Sequence, residues 1–171
     1  MSTDLSPAPW LKIHRELGVE VPEFDDRDLG RRVADHARRH GDAPALRFMT
    51  RDFSYAELDQ LADRFANVLT GLGVKKGDVV GLHMPNLPQY AIALVAIARI
   101  GCIGSGVSPL LAPGELQHQV RDAGISVLLS LSNLAEPALT GMDQVPECLQ
   151  AVITTNPNHD ALFAGTCHHP H

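Results

Sequence analysis

The sequence predicts an α/β fold with a doubly wound, mainly parallel sheet carrying helices on both faces. Three observations point there. Short, continuously apolar runs recur at Val79–Leu82, Cys102–Val107, Ile125–Leu131 and Ala151–Thr154, as expected of strands covered on both sides. Between them lie segments whose apolar residues recur at helical spacing. Each strand-then-helix unit implies parallel pairing through a crossover.

Taken in order, residues 1–27 contain Pro7, Pro9 and Pro22 and little periodicity. They read as an irregular lead packed by Trp10, Leu11 and Val21. Asp28 is placed to cap a helix from Leu29 to about His40, which Gly41 stops. Ala45–Phe48 and Asp52–Ser54 suit two short strands around a turn. Ser54-Tyr55-Ala56-Glu57 is a capping box, in which hydroxyl and carboxylate each satisfy the other residue's amide. Leu58, Leu61, Ala62, Phe65, Ala66 and Leu69 then form one apolar face, and Gly71 and Gly73 end the helix. Asn86 is positioned to cap a helix near Pro88 that runs to Ile100 and stops at Gly101. Pro113 opens another helix with Leu116, Val120 and Ala123 on one side, stopped by Gly124. The expected organisation is a lead over residues 1–27, an α/β unit over 28–156 and a disordered tail over 157–171.

Composition narrows the function. Fourteen Lys plus Arg against 20 Asp plus Glu give a net charge of −6, which lacks the basic footprint of a nucleic-acid binder. Aromatic residues are 5% of the chain, too few for a stacking platform. Cys102, Cys148 and Cys167 form no CxxC pair and no disulfide framework, which fits a reducing, cytoplasmic setting. The N-terminus lacks the apolar core of a secretory signal. The longest apolar run, Ala91–Ala98, is far below the ~20 residues of a membrane span.

In such sheets ligands bind at the carboxyl ends of the strands, often with phosphate on a glycine-rich turn. Gly101-Cys102-Ile103-Gly104-Ser105-Gly106 has the wrong glycine order and runs from helix into strand rather than the reverse. No GxxxxGK[ST] or GxSxG motif is present, and no lysine follows Lys76. His83 falls at the end of the Val79–Leu82 strand beside Met84-Pro85-Asn86. His83 and Asn86 are therefore the candidate cofactor-binding residues, with a hydrogen-bonded structural histidine as the plainer alternative. Cys167, His168, His169 and His171 have metal-ligand chemistry, but their spacing suits an adventitious tail better than a folded metal site. No catalytic residue and no resident metal are expected.

One ordered set of residues is more specific. Pro44-Ala45-Leu46 leads to Phe53-Ser54-Tyr55-Ala56-Glu57-Leu58, then Leu72-Gly73-Val74-Lys75-Lys76-Gly77-Asp78-Val79-Val80. Met84-Pro85-Asn86-Leu87-Pro88-Gln89-Tyr90, Ala98-Arg99-Ile100-Gly101-Cys102 and Ser108-Pro109-Leu110-Leu111-Ala112-Pro113-Gly114-Glu115-Leu116 follow. This series resembles the opening of the adenylate-forming (AMP-binding) superfamily of acyl-CoA synthetases, peptide-synthetase adenylation domains and luciferases. Pro9-Trp10-Leu11 with Val21-Pro22 is similar to fatty acyl-CoA ligases. The resemblance implies the incomplete first part of the large N-terminal domain of such enzymes. It also implies a reaction in which ATP, Mg²⁺ and a carboxylate form an acyl-adenylate that coenzyme A then captures. The family's Ser/Thr/Gly-rich phosphate loop and catalytic lysine belong to later segments, and Ala164-Gly165-Thr166 has no likeness to that loop. Two departures are Gly104-Ser105-Gly106, where relatives carry larger apolar residues, and Ser108, where they carry Asn or Asp. The expectation is an N-terminal piece inactive alone. The alternatives are a stand-alone acyl- or nucleotide-binding module, or a fragment that self-associates or docks on a complementary chain through exposed apolar surface.

Overall fold

Side-chain caps and prolines set most of the helix starts in this protein, and the starts in turn set which residues reach the sheet. The structure, a computed structural model, describes residues 9–19, 26–156 and 167–168. The lead is not irregular throughout: Pro9–Glu16 forms helix α1. Trp10 does not pack as expected; it is 56% exposed, and Ile13 and Leu17 are exposed beside it. Val21 lies outside the described residues. Helix α2 spans Leu29–His40, with the Asp28 carboxylate accepting from the Arg31 amide at 2.8 Å. Strands β1 (Pro44–Phe48) and β2 (Arg51–Ser54) form an antiparallel pair. Its turn carries Met49 at φ 53°, a left-handed conformation uncommon away from glycine.

Helix α3 spans Tyr55–Gly71 behind the predicted capping box, with Glu57 N–H to Ser54 Oγ at 3.2 Å and Ser54 N–H to Glu57 Oε2 at 3.0 Å. Strand β3 (Val79–His83) follows, then α4 (Pro88–Arg99), β4 (Ile103–Val107), α5 (Pro113–Ala123) and β5 (Ile125–Leu131). Asn86 is not the cap of α4. Pro88 occupies the first helical position, which makes Leu87 the capping residue, and no side chain bonds there. Helix α6 (Ser132–Thr140) was not expected. It is short, contains Pro137 and has no side-chain cap, so none of the usual start signals marks it. Strand β6 spans Ala151–Thr155, and the backbone of Cys167–His168 pairs antiparallel to it as β7. The tail expected to be disordered thus contributes one short strand, and its other residues lie outside those described.

The main sheet has the order β4-β3-β5-β6-β7, with the first four strands parallel. Helices cover both faces, as predicted. Val80, Leu82, Val127, Leu129, Leu131 and Ile153 belong to the core that also contains buried residues of α2, α3 and α4. Ile125, Leu128, Val152 and Val107 belong to the opposite core with buried residues of α5 and α6. The two-residue alternation of strand side chains produces this division. Because both faces are apolar, the strands read as unbroken hydrophobic runs.

Helices α2, α3 and α4 meet at Arg99. Its guanidinium bonds the carboxylates of Asp59 and Asp63 and the carbonyls of Asp59 and Gly30. Gly30 has no side chain for a packing reason: a Cβ there would lie 2.9 Å from the Arg99 Cα. Gly71, at the end of α3, would have nothing within 4 Å of its Cβ.

These two glycines should respond oppositely to alanine. Gly30→Ala must separate α2 from α4 and is expected to lower stability by ~1–3 kcal/mol, as overpacking does. Gly71→Ala relieves helix-end entropy with no clash and should raise stability by ~0.4–1 kcal/mol. Urea denaturation of both variants checks the pair; a stabilising Gly30→Ala would refute the close crossing.

Candidate functional site

The carboxyl ends of β3, β4, β5 and β6 lie along one edge of the sheet. From β3 the chain crosses to β4 on one side and later to β5 on the other, so the strand order reverses between β3 and β5. That reversal is where an open α/β sheet offers its ligand crevice. Here the two last polar residues of those strands face each other. His83 and Ser130 are register partners, and His83 Nδ1 lies 2.9 Å from Ser130 Oγ. His83 is 2% exposed and Ser130 is fully buried. The Ser130 hydroxyl donates to the Leu131 carbonyl at 3.3 Å, so the hydrogen-bond pattern assigns Nδ1–H of His83 as the donor to Oγ.

Burial pushes the His83 pKa below its ordinary value, because a charged imidazolium loses its hydration there. A neutral imidazole already bonded to a hydroxyl is a poor partner for a triphosphate. Neighbouring strand ends are also neutral. Thr155 supplies its carbonyl to Ser132 Oγ at 3.2 Å. Gln89, in the first turn of α4, donates from Nε2 to the Asn156 carbonyl at 3.4 Å. Its Oε1 is buried without a hydrogen-bond partner.

Asn86 sits elsewhere. It is exposed and lines a groove of about 280 Å³ with Arg47 and Phe48 of β1 and Pro88 and Tyr90 of α4. Asn86 is therefore open to solvent while His83 is enclosed. Arg47 is engaged by Asp52, with bonds of 2.6 and 2.7 Å. Lys75 and Lys76 precede β3, at the opposite end of the sheet. The Lys75 amide donates to Asp78 at 2.7 Å, and the Lys76 side chain lies over Gly101. Among the described residues no three His, Cys, Asp or Glu side chains gather as a metal site. The side chains of Cys167, His168, His169 and His171 lie outside the described residues. No described helix is long and apolar enough to cross a membrane.

Sequence reasoning found His83 but missed its partner. The signal was present as a single hydroxyl, Ser130, inside the apolar run Leu128-Leu129-Ser130-Leu131. Gln89 was equally visible as a polar residue just after the helix-opening proline, although helix starts routinely carry such residues on their surface.

Comparison with known proteins agrees with this layout. The family model described as AMP-binding enzyme matches residues 33–165. A long-chain-fatty-acid–CoA ligase of Escherichia coli O6:H1 is 42% identical over 118 residues, covering 68% of this chain and 21% of that protein. Its Yersinia pestis counterpart is 43% identical over 131 residues, covering 74% and 23%. An acetyl-coenzyme A synthetase of Desulfatibacillum aliphaticivorans is 34% identical over 119 residues, covering 66% and 18%. Among solved structures, a Mycobacterium tuberculosis fatty acyl CoA synthetase superposes with a TM-score of 0.69 at 24% identity, over 81% of this chain and 28% of that one. The N-terminal domain of FACL13 from the same organism gives 0.70 at 23% identity, over 84% and 38%. The chain thus spans about a fifth of the length of the curated relatives it matches.

The His83–Ser130 pair has a pH signature. Its depressed folded-state pKa means the unfolded chain binds the proton more readily. The stability it confers is complete above the unfolded value of 6.5 and falls as pH drops below it. Denaturant titrations at pH 7.5 and 5 should show that loss, and His83→Gln should lose less over the same interval. An equal loss in both proteins would contradict a buried neutral imidazole.

Proposed function

Since the chain belongs to the AMP-binding enzyme family, we propose that its 171 residues are the opening scaffold of a long-chain fatty acyl-CoA ligase. In the complete reaction the fatty carboxylate attacks ATP at the α-phosphorus and pyrophosphate leaves, giving an acyl-adenylate. The CoA thiolate then attacks the acyl carbon and AMP departs. Such chemistry needs positive charge and backbone donors around the departing phosphates, supplied in this family by the phosphate loop, Mg²⁺ and a lysine.

The neutrality of the strand ends carries the reading that this span does not adenylate by itself. His83 is buried and bonded to Ser130, and both lysines before β3 lie at the far end of the sheet. Residues 28–156 then act as a supporting α/β unit, with His83 a positioning residue that closes the β3–β5 crevice and Asn86 an exposed groove residue. Free Cys102 and Cys148 support a reducing, cytoplasmic setting. A second reading, docking onto a complementary chain, draws support from the apolar stripe of Trp10 and Ile13 on α1 and Leu17 just after it, each more than half exposed.

ATP–pyrophosphate exchange with palmitate tests the main reading. The purified 171-residue chain should give background exchange at saturating Mg-ATP, while fusion to the remainder of a long-chain ligase should restore it. Turnover by the chain alone would refute the scaffold reading. Binding of a separately expressed remainder, weakened by Trp10→Ser, would favour the docking reading.

A further inference from the structure

Among the described residues strand β4 ends the main sheet, and its outer edge has the features of a self-complementary interface. The Ile103 amide donates to the Asp78 carbonyl at 2.9 Å. Backbone direction alternates along a strand, so Ile103, Ser105 and Val107 address β3, while Gly104 and Gly106 turn their N–H and C=O groups to the open edge. No charged residue or proline occurs in Ile103-Gly104-Ser105-Gly106-Val107, although edges are commonly guarded by such residues. Ile103 is 55% exposed, and Leu94, which packs under Gly104, is 38% exposed.

The sequence of this strand reads nearly the same in both directions about Ser105. We infer that β4 pairs antiparallel with β4 of a second copy of this chain, on a two-fold axis through Ser105. The register follows from the alternation. Ser105 faces Ser105 of the partner subunit in a non-hydrogen-bonded pair, and Ile103 faces the partner's Val107. Gly104 exchanges both backbone bonds with the partner's Gly106, and the symmetric pair does the same. The Gly106 carbonyl already accepts from Gln119 Nε2 at 3.0 Å; its second lone pair takes the incoming N–H. The paired glycines put no side chains between the α4 helices, so Leu94 can meet its mate. The two parallel sheets become one continuous sheet through an isologous contact.

The inference rests on the sheet edge and not on the ligase reading. Sedimentation equilibrium of the 171-residue chain should show a mass rising with concentration from 18.5 kDa toward twice that value. Gly104→Pro removes one outward donor and leaves the β3–β4 ladder intact, because that ladder uses residues 103, 105 and 107. It should weaken dimerisation at least ~10-fold, the equivalent of one or two lost backbone bonds, with an unchanged far-ultraviolet circular dichroism spectrum. Ser105→Cys, in a chain whose Cys102, Cys148 and Cys167 are serine, gives an independent readout. Cα atoms of a non-hydrogen-bonded antiparallel pair are ~4.5 Å apart, within disulfide range. Glutathione disulfide should therefore convert that variant to a covalent dimer, while Gln119→Cys in the same background should stay monomeric. A wild-type chain that remains monomeric at all concentrations would overturn the inference, as would a dimer that ignores Gly104→Pro and gives no Ser105→Cys cross-link.

Discussion

Parallel strands cannot be joined by hairpins, and every return to the start of the next strand lays a connection across one face of the sheet. That constraint organises this protein. β3, β4, β5 and β6 run parallel, so the chain leaves each at the same edge. α4 covers one face, with α2 and α3 packed beside it, while α5 and α6 cover the other. Gly81 shows how tight the resulting layers are. A Cβ there would come within 2.8 Å of Leu128 Cδ1 and 3.0 Å of Ile125, so the strand centre has to be bare for that face to close. The same constraint places the last residues of four strands side by side and sets His83 against Ser130.

Most of this architecture was legible because its signals are local. The Ser54–Glu57 box, Asp28 before α2 and the glycines after α3, α4 and α5 declare their elements within a few residues. Continuous apolar strands identified the covered parallel sheet. What escaped notice depends on tertiary context. Helix α6 starts without a side-chain cap and contains Pro137. Helix α1 forms with Trp10 and Ile13 exposed and Leu11 only half-buried, so no buried face betrayed it. Asn86 looked like a cap, yet Pro88 at the first helical position moved that role to Leu87. At the site, His83 was visible from its place at a strand end. Its bond to Ser130 was not, because the partners are 47 residues apart and only the strand order makes them neighbours.

That bond also underlies the proposed scaffold role. An adenylating centre concentrates charge-stabilising groups where negative charge shifts between carboxylate and phosphates. The carboxyl edge described here does the opposite: it places neutral hydroxyls, an amide and a desolvated imidazole among apolar side chains. Gln89 and Ser132 fasten strand-end carbonyls, which rigidifies the edge rather than arming it. The match to the AMP-binding family over residues 33–165 and coverage of about a fifth of the related ligases are the grounds for the proposed scaffold role.

Long-range ¹⁵N–¹H correlation spectra of the imidazole of His83, recorded with and without saturating Mg-ATP, test that central claim most directly. A neutral ring protonated at Nδ1, with shifts unmoved by nucleotide, is the predicted result. An imidazolium at neutral pH, or a His83 resonance displaced by Mg-ATP, would show a crevice open to phosphate and contradict the account.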